Sequence, residues 1–210
     1  MKNMKEDSPI EIPSKAIPLY GLILAGGMSS RMGRDKATLQ YHGKPQWKFL
    51  YDLVNHYCDR SFISIRQEQR AGFHKDVPFI VDKNEYRGPF NGMLSAYAEY
   101  PNVAWLVMAC DLPLIDTTTI DLLVRNRDTT NVATALATKK SGLPEPLAAI
   151  WEPRGLKNAI SYVKETDSSC PRKFLIKSNC TLISPTNDAV LTNANSLEEY
   201  KQVTADLKQK

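Results

Sequence analysis

The sequence predicts an α/β fold: a doubly wound, mostly parallel sheet with helices on both faces. Three observations carry that expectation. Short apolar runs alternate with segments of helical periodicity along the body of the chain, the pattern of βα units. One run, Val103-Ala104-Trp105-Leu106-Val107-Met108-Ala109, is nearly continuous, as a strand buried on both faces must be. A glycine-rich turn follows the first run directly, and the carboxyl ends of strands are where open parallel sheets bind their ligands.

Taken in order, the first 17 residues mix charges with Pro9 and Pro13 and read as a flexible tail, leaving 18–205 as one domain. Strands are expected at 19–24, 61–65, 78–81, 103–109, 132–138, 147–151 and 180–184. Between the first two, Trp47, Leu50, Tyr51, Val54, Tyr57 and Cys58 fall on one helical face. Phe90, Met93, Leu94 and Tyr97 repeat that spacing, as do Leu156, Ala159, Ile160 and Val163. Ser196 with Glu199 three residues on reads as a capping box that opens a final helix. The first strand and the fourth, at 103–109, should lie side by side where the winding reverses, so the segments leaving both converge on one cleft.

A chain of 210 residues, 42% hydrophobic, is enough for one full-sized core. Its net charge of +4 is mild and dispersed, which argues against nucleic acid as a partner and is accounted for by a small polyanionic substrate. Cys58, Cys110, Cys170 and Cys180 lack C-x-x-C spacing, so neither a zinc site nor a disulfide framework is suggested, and free thiols in a cytoplasmic protein are expected. The first 17 residues hold no apolar run long enough for a membrane span or a signal peptide, and no membrane partner is expected.

The turn after the first strand reads Leu24-Ala25-Gly26-Gly27-Met28-Ser29-Ser30-Arg31-Met32-Gly33-Arg34-Asp35-Lys36. Glycines let the backbone turn tightly and present N–H groups without a Cβ in the way, and successive inward N–H groups form a nest for an anion. Arg31 and Lys36 would neutralise the charge the nest leaves exposed. A Gly-Gly turn alone is ordinarily just a turn; the two cations and Gly33 at close spacing turn the reading toward a phosphate. A branched side chain at Gly27 would block that approach. Neither G-x-G-x-x-G nor a Gly-Lys-Ser/Thr loop is present.

Asp111 sits just past the buried strand 103–109, in Cys110-Asp111-Leu112-Pro113. Magnesium takes one or two carboxylates together with substrate phosphate oxygens and water, so a single aspartate there is the ordinary protein contribution. The alternative is that Asp111 braces the turn with Pro113.

The loop, written L-A-G-G-x-x-x-R-M-G-x-D-K, resembles the signature of the molybdenum cofactor guanylyltransferase family, within the nucleotidyltransferases of Rossmann-like fold. C-D-x-P resembles that family's metal motif. Asp82 followed by Gly88-Pro89-Phe90-Asn91-Gly92 resembles its aspartate and G-P-L-x-G segment, with phenylalanine in place of leucine. Residues 144–150 resemble the strand bordering the acceptor, and 192–199 resemble the closing N-x-N-T/S-x-E-E/D segment. At the end of the second strand the family often has a nucleotide-contacting asparagine; this chain has Ile63-Ser64-Ile65-Arg66-Gln67.

The resemblance implies transfer of GMP from GTP to the phosphate of a molybdopterin-type acceptor, releasing pyrophosphate, with Mg²⁺ on Asp111. It implies Arg31, Lys36 and Asp111 as catalytic, and Leu24, Ala25, Gly26, Gly27, Lys36, Asp82, Gly88 and Asp111 around the nucleotide. Asn193 and Asn195 would face the acceptor, although asparagines ahead of a helix cap are also ordinary turn residues. A molybdoenzyme or cofactor-delivery protein would be the downstream partner. Two other readings stay open: a relative that uses CTP, against which Gly26-Gly27 speaks because cytidylyl relatives more often carry alanine-glycine, and a non-catalytic nucleotide-binding module.

Overall fold

A computed structural model describes residues 16–27, 36–73, 76–194 and 196–208. The expected tail lies almost wholly outside them, as does Arg31.

Seven strands form one sheet, β1 (Leu19–Leu24), β2 (Arg60–Ile65), β3 (Phe79–Val81), β4 (Ala104–Ala109), β5 (Ala133–Ala137), β6 (Pro144–Trp151) and β7 (Cys180–Ile183), in the order β3-β2-β1-β4-β6-β5-β7. β6 alone runs against its neighbours, pairing antiparallel with β4 and β5, while the remaining pairs are parallel. β6 begins three residues before its expected start. Pro144 and Pro146 obscure that start in the sequence, yet prolines are tolerated at strand beginnings and bulges, and the β5–β6 register shifts between Ala135 and Leu136.

Among the described residues there are six α-helices, α1 (Gln46–Asn55), α2 (Pro89–Glu99), α3 (Thr117–Arg125), α4 (Pro153–Thr166), α5 (Pro171–Ile176) and α6 (Leu197–Lys208); the first five supply the two cores on the sheet, and α6 packs through Val203 on Tyr41 and Ala194. β4 shows why both faces must be covered. Leu106 and Met108 point into a core with Leu50 and Val54 of α1 and Ile120 and Leu123 of α3. Trp105 and Val107 point into the opposite core with Phe90, Met93 and Leu94 of α2, Leu156 of α4 and Phe174 of α5. All four of these strand residues are fully buried, and Leu106, Val107 and Met108 are each worth about 1.5–3 kcal/mol of transfer free energy.

The expected helices form with one shortening. α1 stops at Asn55, so Tyr57 and Cys58 lie in the following turn, where the Tyr57 N–H donates to the Val54 carbonyl and both side chains still pack on the core. α6 opens on the anticipated capping box: Ser196 N–H donates to Glu199 Oε2 at 2.8 Å, and Glu199 N–H to Ser196 Oγ at 3.2 Å. α3 and α5 add to the sequence reading. α3 carried a legible signal in Asp116, whose carboxylate caps the Thr119 N–H at 2.8 Å. Phe90 is accommodated by edge-on contacts with Trp151 and Phe174, at 6.1 and 6.4 Å between ring centroids. No described helix is long and apolar enough to cross a membrane.

Candidate functional site

β1 and β4 are in register from Leu19↔Ala104 to Leu24↔Ala109, so the segments that leave them emerge side by side. Ala25-Gly26-Gly27 continues one and Cys110-Asp111 the other. Between them and the start of α2 lies a cleft of about 960 Å³. Leu24, Ala25, Gly26, Gly27, Lys36, Asp82, Gly88 and Asp111 all line it, together with Ser64, Arg66, Glu68, Tyr86 and Leu147. In the sequence Arg66 stands only as a departure from the family's pattern, and no motif marks Ser64, Glu68 or Tyr86. Their signal is positional, since each follows or ends an element pointing at the same opening.

Asp82 is held in the cleft at both its backbone and its side chain. Its N–H donates to the Ile65 carbonyl at 2.8 Å, and Ser64 Oγ donates to its Oδ1 at 2.6 Å. Burial pushes its pKa up, while the Ser64 bond and the Arg66 charge pull it back. Two glycines make room for it: a Cβ on Gly26 would lie 2.5 Å from Asp82 Oδ2, and one on Gly92 would strike Ser64 Oγ and come within 3.3 Å of Asp82 Oδ1. Gly27 differs, with open space around its absent Cβ among the described residues. Gly88 has φ +62° and ψ −151°, a conformation suited to glycine, and it opens α2 with Pro89 in the first turn.

Asp111 stands at the floor of the cleft. Burial raises its pKa, and the Lys36 ammonium is the neighbour that lowers it. Lys36 itself starts a short 3₁₀ turn, Lys36–Thr38. The Asp111 backbone carbonyl accepts from the Ala194 N–H at 2.9 Å, which ties the C-terminal segment to the backbone at this position. Among the described residues no group of three or more His, Cys, Asp or Glu is placed to hold a metal. Asp111 presents a single carboxylate to the cleft, and a hard dication that also takes substrate phosphate oxygens and water needs only one or two from the protein.

A second cavity of about 320 Å³ shares Gly88, Pro89 and Leu147 with the first and is completed by Glu145, Cys170, Arg172 and Asn193. Asn193 Oδ1 is buried with no hydrogen-bond partner among the described residues, a group that a ligand donor would satisfy. Asn195 lies outside the described residues. Glu145 is pushed up by burial and by the Asp111 charge, and drawn down by its ion pair with Arg172.

The family model for the MobA-like NTP transferase domain matches residues 21–180. A molybdenum cofactor biosynthesis bifunctional protein of Synechocystis is 39% identical over 89% of this chain, which spans only 54% of that relative's length. A molybdenum cofactor guanylyltransferase of Pseudomonas fluorescens is 30% identical over 88% of this chain and 93% of its own. The solved structure of molybdopterin-guanine dinucleotide biosynthesis protein A from Archaeoglobus fulgidus superposes with a TM-score of 0.74 over 91% of this chain and all of that one, at 16% identity, a likeness of fold.

Proposed function

This chain belongs to the MobA-like NTP transferase family, and we propose that it transfers GMP from GTP to the phosphate of a molybdopterin-type acceptor. The observation that carries the reading is the convergence of Gly26-Gly27, Lys36 and Asp111 on one cleft that continues into a second cavity with an unsatisfied buried acceptor atom on Asn193. One cavity suits a nucleoside triphosphate and the other its reaction partner. We assign this work to residues 18–205 as one unit, acting in the cytoplasm.

In the reaction, an oxygen of the acceptor phosphate attacks the α-phosphorus of GTP as the α–β bridging P–O bond breaks, and pyrophosphate departs. No covalent enzyme intermediate is needed, so the protein's task is positioning and charge stabilisation. Gly26 and Gly27 cradle the phosphates through their N–H groups; Lys36, with Arg31 from the same loop, balances the charge that grows on the leaving pyrophosphate. Asp111 would hold Mg²⁺, which when bound neutralises phosphate charge and polarises the reacting phosphoryl group. Asp82 holds the nucleotide side of the cleft, and Asn193 with Asn195 orients the acceptor.

The test is to offer radiolabelled GTP or CTP with a molybdopterin-type acceptor and measure pyrophosphate. Release with GTP alone supports the reading. Release with CTP alone makes the chain a cytidylyl relative, and GTP binding without release under any acceptor makes it a binding module. Asn193→Ala should raise the KM for the acceptor while leaving that for GTP unchanged.

A further inference from the structure

We propose that Arg66 and Gln69 are positioning residues for the phosphate loop, holding the carbonyls of Ala25 and Gly26 to one side so that the Gly26 and Gly27 N–H groups face the triphosphate. Gln69 Nε2 donates to the Ala25 carbonyl at 3.0 Å, and Arg66 Nη1 donates to the Gly26 carbonyl. None of the described peptide bonds is cis. In a trans peptide the C=O and the following N–H point in opposite directions across one plane. Pinning two successive carbonyls toward the turn after β2 therefore aims the two successive N–H groups away from it, the arrangement of an anion nest.

The clamp is itself fixed. The Arg66 backbone N–H donates to Gln69 Oε1 at 2.9 Å, so the Gln69 amide is held at its oxygen while its nitrogen reaches the loop. Ala25 N–H is already engaged by the Ser64 carbonyl at 3.0 Å, which holds the start of the loop against β2. Beyond that point two consecutive glycines have no Cβ to restrict them, and an unpinned peptide is free to turn a carbonyl oxygen toward the anion. Arg66 lines the cleft, whereas Gln69 is not among its lining residues, so Gln69 acts through the loop.

The proposal rests on the nucleotide reading of the cleft, and its test separates the two. Calorimetry with GTP and, as a ligand lacking phosphates, guanosine is run on the wild type, Gln69→Met, Arg66→Met and Arg66→Lys. Losing one well-placed hydrogen bond to the loop should weaken GTP binding about tenfold in each Met variant. Guanosine binding and the melting temperature should hold, and Arg66→Lys, which keeps a donor, should recover much of the loss. Wild-type GTP affinity in Gln69→Met overturns the proposal, as does an equal loss for guanosine and GTP, which would mean general damage to the site. Should Gln69→Met fail to fold, the comparison of Arg66→Met with Arg66→Lys decides by the same criteria. A wild type that binds no GTP instead removes the nucleotide reading together with the clamp.

Discussion

The Asp82 carboxylate occupies the space a side chain at Gly26 would need: a Cβ built there falls 2.5 Å from Asp82 Oδ2, while the same atom on Gly27 meets nothing described. The two adjacent glycines therefore differ: Asp82 excludes a side chain at Gly26, and no described residue excludes one at Gly27.

Gly26→Ala should therefore push Asp82 off its bond with Ser64 and cost about 1–3 kcal/mol, as overpacking of a well-filled site does, read as a lower melting temperature without ligand. Gly27→Ala should melt like the wild type and lose GTP affinity, and Gly27→Val should abolish it. A Gly27→Ala protein that melts early would assign that glycine to the backbone instead.

Lys36→Ala should lower turnover by roughly two to three orders of magnitude, the scale of losing one preorganised charge stabiliser. Steady-state rates at saturating GTP check it; an unchanged rate removes Lys36 from the mechanism.

Asp111→Asn should need more Mg²⁺ for any residual activity. Its effect on stability has a definite sign. Burial holds the folded pKa of Asp111 above its unfolded value, so the ligand-free wild type loses stability as pH rises through that interval and ionisation is forced in the fold. The variant escapes this loss, so it should melt higher than wild type above the carboxylate range and no higher well below it. A lower melting temperature at neutral pH with unshifted Mg²⁺ dependence would make Asp111 a structural brace.

Arg172→Met leaves Glu145 buried beside Asp111 without its counterion. The Glu145 pKa then rises further, and the melting temperature should fall more at pH 8, where ionisation is forced in the fold, than at pH 4, below the ordinary value of 4.5, where the carboxyl is mostly protonated. The decrease should be modest because solvent reaches Arg172 and screens the pair. Equal losses at both pH values would point to lost packing by the arginine stem.

Most elements, α3 and α5 excepted, and the chemistry carried by short segments are legible in local sequence. The βα alternation, the doubly buried run around Leu106, the Ser196–Glu199 cap and the turn that begins at Gly26 are all set by neighbours within a few residues, and local periodicity and turn chemistry encode such features directly. The end of α1 at Asn55 escaped that logic because Tyr57 and Cys58 continue the apolar spacing from a turn, packing on the same core without being helical. Tertiary structure decided what depends on strand order. Only the β2–β1–β4 pairing brings Ser64, Arg66 and Gln69 beside a loop some forty residues earlier, and only the β3 crossover sets Asp82 against Gly26. The reversal of β6 likewise places Glu145 near Asp111. Such contacts join residues whose mutual distance is fixed by how the sheet is wound, a property of the whole chain's burial that no local stretch records.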